Sequence, residues 1–168
     1  MRHIISILLQ NEAGALTRVA GLFSTRGYNI ESLSVAPTDD PSVSRLTLVT
    51  TGDDAVIHQI VSQVQKLLDV VLVDDMTRGE HFEREVALLK FRVGERGVDP
   101  LARLVTEVDG KILSGALQAF VVALTDSEAD INRFIGQATQ HADLIEVVRS
   151  GALAIGAGSR TLRLHPAA

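Results

Sequence analysis

Ile4-Ile5-Ser6-Ile7-Leu8-Leu9-Gln10-Asn11-Glu12-Ala13-Gly14-Ala15-Leu16-Thr17-Arg18-Val19-Ala20-Gly21-Leu22-Phe23-Ser24-Thr25-Arg26-Gly27 decides the fold, because the period of its apolar residues changes partway along. Ile5, Ile7 and Leu9 alternate as on a strand, and Leu16, Val19, Ala20 and Phe23 then recur at the i, i+3, i+4, i+7 spacing of one helical face. Gly27 ends that helix. Residues 30–36 predict a second strand, 37–42 a turn bounded by Pro37, and 45–51 a third strand that closes a hairpin. Asp53 or Asp54 suits the N-cap of a second helix carrying Ile57, Ile60, Val61 and Val64, and residues 70–73 give a fourth strand. The order is βαββαβ.

The same order begins again after a polar stretch at 74–84. Ala87, Leu89, Phe91 and Val93 alternate, Val98, Leu101, Ala102 and Val105 mark a helix, and 111–113 and 119–124 read as strands around Ser114-Gly115. Ile131, Phe134, Ile135 and Ala138 mark the last helix, and residues 144–148 the last strand. Two such copies predict an α+β protein of two ferredoxin-like domains, 1–78 and 79–168, the second carrying the tail. Each copy packs two helices on one face of a four-stranded sheet and leaves the other face and an edge in need of cover. Apolar residues on both sides of the first strand, Ile4 and Leu8 as well as Ile5 and Ile7, point to a sheet buried twice, for which a homodimer is the economical solution.

Composition narrows the function. At 168 residues and 46% hydrophobic content, the chain has enough apolar material for its own core. Its net charge of −5 is spread along the sequence, which argues against a nucleic-acid partner. No apolar run is long enough to span a bilayer and the first residues lack a cleavage pattern, so a soluble, cytoplasmic protein without a membrane partner is expected. The five histidines, His3, His58, His81, His141 and His165, stand singly without metal-ligand spacing, and cysteine is absent. Asp39 and Asp40 are adjacent carboxylates in a Pro-bounded turn, and Glu83-Arg84-Glu85 reads as a solvated strand start. Neither resembles an acid/base pair, which needs convergent, differently perturbed groups. No catalytic residue and no metal site is expected.

A small zwitterion fits the first corner better. Gly14 lets backbone approach a ligand without a Cβ, and the free N–H groups of a helix start attract a carboxylate. Asn29, at the start of the next strand, supplies a donor and an acceptor. Taken singly, Gly14 is an ordinary loop glycine, Asn29 a turn residue, Asn11 a helix cap and Ile30 a core residue.

Three segments, Asn11 to Leu16, Leu22 to Leu33 and Pro37 to Pro41, resemble the small regulatory subunit of acetolactate synthase (acetohydroxyacid synthase), and Phe82 to Lys90 and Glu146 to Gly151 continue the likeness. The tail departs from the family's pattern, reading Gly156-Ala157-Gly158-Ser159-Arg160. The resemblance implies that residues 1–78 form an ACT domain and that the chain itself catalyses nothing. It implies a large catalytic subunit as partner, carrying thiamine diphosphate, Mg and FAD, which the small subunit activates and subjects to feedback inhibition by valine in branched-chain amino acid biosynthesis. No cofactor is implied on this chain. By the same resemblance the effector contacts are Asn11, Gly14, Ala15, Leu16, Asn29 and Ile30, in a homodimer formed through the ACT domain. A chain ending before Met76 is expected to keep the effector and lose activation. The competing reading is a free-standing amino-acid sensor or a structural dimer.

Overall fold

A computed structural model describes residues 1–164. In chain order these form β1 (Arg2–Gln10), α1 (Ala15–Arg26), β2 (Ser32–Pro37), β3 (Val43–Thr51), α2 (Asp54–Val64), β4 (Val70–Asp75), β5 (His81–Val93), α3 (Glu95–Glu107), β6 (Lys111–Ala116), β7 (Ala119–Asp126), α4 (Glu128–Ala138), β8 (Ala142–Arg149) and β9 (Leu153–Gly156). Both βαββαβ copies are present. Their sheets have the orders β2-β3-β1-β4 and β6-β7-β5-β8, antiparallel throughout. No helix among the described residues is long and apolar enough to cross a membrane.

In the first unit, Ile5, Ile7 and Leu9 of β1 and Leu46 and Leu48 of β3 meet Val19 and Phe23 of α1 and Ile57, Ile60 and Val64 of α2. Each such side chain withdrawn from water contributes about 1.5–3 kcal/mol before entropy is charged against it. The helices start and stop where their caps dictate. Asp53 accepts the Val56 N–H at 2.8 Å to open α2, and Gly27, at φ 69°, closes α1 in the left-handed conformation that costs a glycine least. The α1 face is set one residue earlier than the pattern suggests. Because the helix begins directly after Gly14, Ala15, Val19 and Phe23 point inward and Leu16 is 40% exposed.

The second unit repeats the plan with different side chains. Ala87, Leu89, Phe91 and Val93 of β5 meet Leu101 and Val105 of α3, Phe120, Val122 and Leu124 of β7, and Ile131, Phe134 and Ala138 of α4. Ser114 and Gly115 do not form the turn: they lie within β6, where an irregularity between Ile112 and Ser114 lets the strand run on until Ala116 pairs with Ala119.

The tail is the main difference from the sequence boundaries. The chain divides into a unit of Met1–Phe82 together with the segment from Ala152, and a unit of Glu83–Gly151. The tail therefore belongs structurally with the first copy, not with 83–151. Ala152 and Ala154 are buried with Ile4, Val49 and Met76 on the side of the first sheet away from its helices. Part of the cover expected from a second chain is thus supplied by the protein's own C-terminal segment. A further strand unforeseen in the sequence, β9, pairs with β5, whose first two residues belong to the same unit.

Candidate functional site

The corner between β1 and α1 is held from three directions. Gln10 N–H donates to Asp69 O at 2.8 Å on the β4 side. On the β3 side, Asn11 N–H donates to Ser42 O at 2.8 Å and its Nδ2 to Pro41 O at 3.1 Å, while Ser44 Oγ donates to Asn11 Oδ1 at 3.3 Å. Asn11 is therefore a tie between two loops. Its carbonyl keeps one further lone pair for a ligand. From the helix side, Arg18 grips Asp69 through Nε and, at 2.8 Å, through Nη2. The guanidinium beside Asp69 holds its carboxyl below the usual aspartate range, against the upward push of desolvation.

Gly14 is the pivot of this corner. It sits at φ 89°, ψ −10°, a left-handed conformation that strains any residue with a Cβ. A Cβ there would also stand 3.0 Å from Arg18 Nη1. The residue thus opens α1 without a side chain. No side chain caps the helix, and no acid occupies its first turn. Ala15 N–H is partly used, donating to Glu12 O at 3.3 Å, and the helical ladder begins with Arg18 N–H to Gly14 O at 3.0 Å. Leu16 and Thr17 N–H have no intrahelical acceptor, and with the positive end of the helix dipole they favour an anion at this corner. Ala15 is buried beneath it, and the Leu16 side chain lies exposed beside it.

Asn29 and Ile30 lie elsewhere. Asn29 is exposed, its side chain makes no hydrogen bond among the described residues, and its carbonyl accepts from Thr50 Oγ1 at 2.5 Å. Ile30 is half-buried against the first core. Asn11 is tied to Ser44 at one end of β3 and Asn29 to Thr50 at the other. Six residue steps of strand separate those anchors, about 20 Å at about 3.3 Å per step. Within one chain, then, Asn11, Gly14, Ala15 and Leu16 form one group, and Asn29 and Ile30 another.

Arg18 and Asp69 escaped the sequence reading. Their signal was present: Asp69 is a lone acid between Leu67-Leu68 and Val70-Val71, and an acid in an apolar run calls for a cation. Other candidates resolve as structural. Asp40 Oδ1 accepts from Ser42 N–H at 2.9 Å and from Ser42 Oγ at 2.6 Å, and Asp39 pairs with Arg163. Glu85 is not solvated: it is buried and pairs with Arg149 at 3.4 Å. No group of three or more metal-ligating side chains occurs among the described residues, and His165 lies outside them.

Comparison with known proteins adds a family to this geometry. A model described as "AHAS small subunit-like ACT domain" matches residues 5–72, and one described as "Small subunit of acetolactate synthase" matches residues 84–158. The acetolactate synthase isozyme 3 small subunit of Escherichia coli (strain K12) is 43% identical over 163 residues, which cover 97% of this chain and 100% of that protein. The acetolactate synthase small subunit of Haemophilus influenzae is 41% identical over 162 residues, 96% of this chain and 99% of that one. A crystal structure of the acetolactate synthase small subunit from Thermotoga maritima superimposes with a TM-score of 0.83 at 33% identity, covering 92% of this chain and 96% of that one.

Proposed function

The chain belongs to the acetolactate synthase small-subunit family, a regulatory rather than catalytic component of that enzyme, and from this premise we propose that it activates a large catalytic subunit and makes it sensitive to valine. The thiamine diphosphate, Mg and FAD of the reaction belong in this reading to the partner.

One observation carries the effector half of the proposal: the proposed contacts fall into two groups about 20 Å apart at opposite ends of β2, an edge strand whose outer side is unpaired among the described residues. β2 starts just after Asn29 and Ile30 and ends at Pro37, where the turn that holds Asn11 begins. A second copy pairing antiparallel along this edge would lay the start of one β2 against the end of the other. Asn29 and Ile30 of one protomer would then face Asn11, Gly14 and Leu16 of its partner. Dimerisation satisfies the open edge and completes two equivalent sites at once.

Valine would lie between the two groups. Its carboxylate takes the N–H groups of Leu16 and Thr17, its ammonium the side-chain carbonyls of Asn29 and Asn11, and its isopropyl group the aliphatic surface around Ile30 and Leu16. Because the ligand touches both protomers, its binding energy biases their arrangement. A coupling of about 1–3 kcal/mol gives strong feedback.

The test is titration of the reconstituted holoenzyme with valine, leucine and isoleucine, beside a pull-down of the large subunit by this chain. Saturable inhibition and stoichiometric capture are expected. Valine bound equally well by a chain held monomeric would remove the proposed site, and acetolactate formed by this chain alone would remove the whole reading.

A further inference from the structure

We propose that the C-terminal segment from Ala152 to Arg160 is a strap, latched by Arg160 on Asp74, that sets the effector affinity of the first unit. The inference rests on the effector reading above and adds a controlling element remote from the contacts themselves.

The strap is built with its large side chains outward. Ala152 and Ala154 are buried against Ile4, Val49 and Met76, while Leu153 and Ile155 are 46% and 59% exposed. Two alanines bury little apolar area, so polar contacts and the pairing of β9 with β5 do most of the holding. Arg160 grips Asp74 through Nη2 and, at 3.0 Å, through Nε. It also donates to Arg78 O at 2.7 Å and to Asp75 O at 2.8 Å. Ala157 N–H donates to Glu80 O at 3.0 Å, and Arg45 Nη2 donates to Ala154 O at 2.8 Å and to Ser6 Oγ at 3.3 Å.

The sheet beneath is suited to release. Ser34, Thr47, Ser6 and Asp74 occupy adjacent positions in register across β2, β3, β1 and β4, so a polar row crosses this face. Water can satisfy such a row when the strap leaves, while the apolar Ile4, Val49 and Met76 beside it favour reattachment. Charge-assisted contacts also weaken with salt. In the proposal the Arg160 latch decides whether the segment stays seated, and its release also opens the pairing of β9 with β5.

Its reach leads to the effector corner. Arg45, which holds Ala154, is adjacent to Ser44, and Ser44 donates to Asn11. Farther along the tail, Arg163 pairs with Asp39 in the turn whose Pro41 and Ser42 carbonyls receive the Asn11 donors. The strap and the effector loop thus share the same stretch, the 39–45 turn and the start of β3. A detached strap frees Arg45 and loosens the anchors of Asn11. It also revises the fate of a chain cut before Met76, which would lose Met76, Ala152 and Ala154 from above Ile4 and Val49.

The test uses full-length chain in the reconstituted holoenzyme, with Arg160→Gln and Asp74→Asn breaking the latch from either side. The valine concentration for half-inhibition is expected to rise about fivefold to tenfold in each, with activation unchanged. Amide exchange of Ala157 and of Asn11 should accelerate together. Rapid exchange at Ala157 with unaltered valine response would overturn the proposal, and if Arg160→Gln fails to fold, Asp74→Asn carries the same test. A wild-type holoenzyme indifferent to all three branched-chain amino acids breaks the effector reading instead. The Asn11 amide then decides the strap alone, and equal exchange in wild type and variant overturns it.

Discussion

The two copies of βαββαβ differ most where the first strand of each turns into its first helix. In the first, Gly14 at φ 89° precedes a helix with no side-chain cap and no acid in its first turn, and four residues on stands Arg18. In the second, Gly94 at φ −79°, ψ 159° precedes Glu95, and four residues on stands Val98, packed against the core. The start of α1 leaves the positive end of its dipole without an acid, whereas Glu95 already places a carboxylate at the start of α3. The loop lengths tell the same story: β1 and α1 are separated by the four residues 11–14, with Asn11 tied across to the 37–42 turn, whereas Gly94 alone separates β5 from α3. One fold has been used twice, and only the first copy begins its first helix without an acid in the opening turn.

The sharpest attempt to break this contrast is Gly14→Asp. A new carboxylate would occupy the place proposed for that of valine, so valine inhibition of the reconstituted enzyme should disappear while activation persists. The positive φ adds a stability cost of about 1–2 kcal/mol, visible as a lowered unfolding midpoint of a chain that still folds. Retained valine sensitivity in the folded variant would detach the corner from regulation.

Asn29→His probes the other half of the proposed site. Losing a hydrogen bond to a charged group, about 1.5–3 kcal/mol, should weaken valine binding about tenfold or more in calorimetry. Because the Asn29 side chain is exposed and bonds nothing among the described residues, stability should hardly change. A large loss of stability without a loss of affinity would make Asn29 a turn residue after all.

Protonation of Asp69 gives a smaller effect with a defined sign. Its native pKa is lowered chiefly by the Arg18 hydrogen bond, so the pair's stabilisation is complete above the ordinary aspartate value of about 3.9 and fades as pH falls through the lower native one. The stability difference between wild type and Asp69→Asn should therefore be constant from neutrality down to about pH 5 and shrink only below about pH 4. Acid-unfolding curves of the two chains measure it. A difference that shrinks between pH 6 and 7 would assign the titration to another group.

The order of the elements was legible because the apolar period switches from two to 3.6 at each strand-to-helix junction, and because Gly27 and Asp53 punctuate as their chemistry dictates. The frame of α1 was less so: Leu16 and Ala15 are adjacent apolar residues, and only the helix start at Gly14 decides which turns inward. Ser114-Gly115 reads as a turn by composition, yet strand pairing with β7 overrides it. The place of the tail was hidden for a different reason. Ala152 and Ala154 face the sheet while Leu153 and Ile155 face outward, opposite to the arrangement that hydropathy leads one to expect. The candidate residues could be picked out singly and through the family's pattern, but their division between the ends of β2 is a property of register, invisible until Ser44 and Thr50 are seen to anchor them.

The smallest expected effect provides the control that gives the largest its meaning: Gly94→Asp, the same substitution at the corresponding corner of the second copy. Gly94 has a φ open to any residue, and a Cβ there meets nothing within 4 Å. Asp is also a favoured N-cap, so the gain over Gly should be a few tenths of a kcal/mol at most, offset in part by Glu95 beside it. Valine inhibition should be unchanged, and the unfolding midpoint should move by little in either direction. If Gly94→Asp instead abolished valine response as Gly14→Asp does, the distinction drawn from φ, first-turn charge and loop length would fail, since two corners of opposite construction would then respond alike.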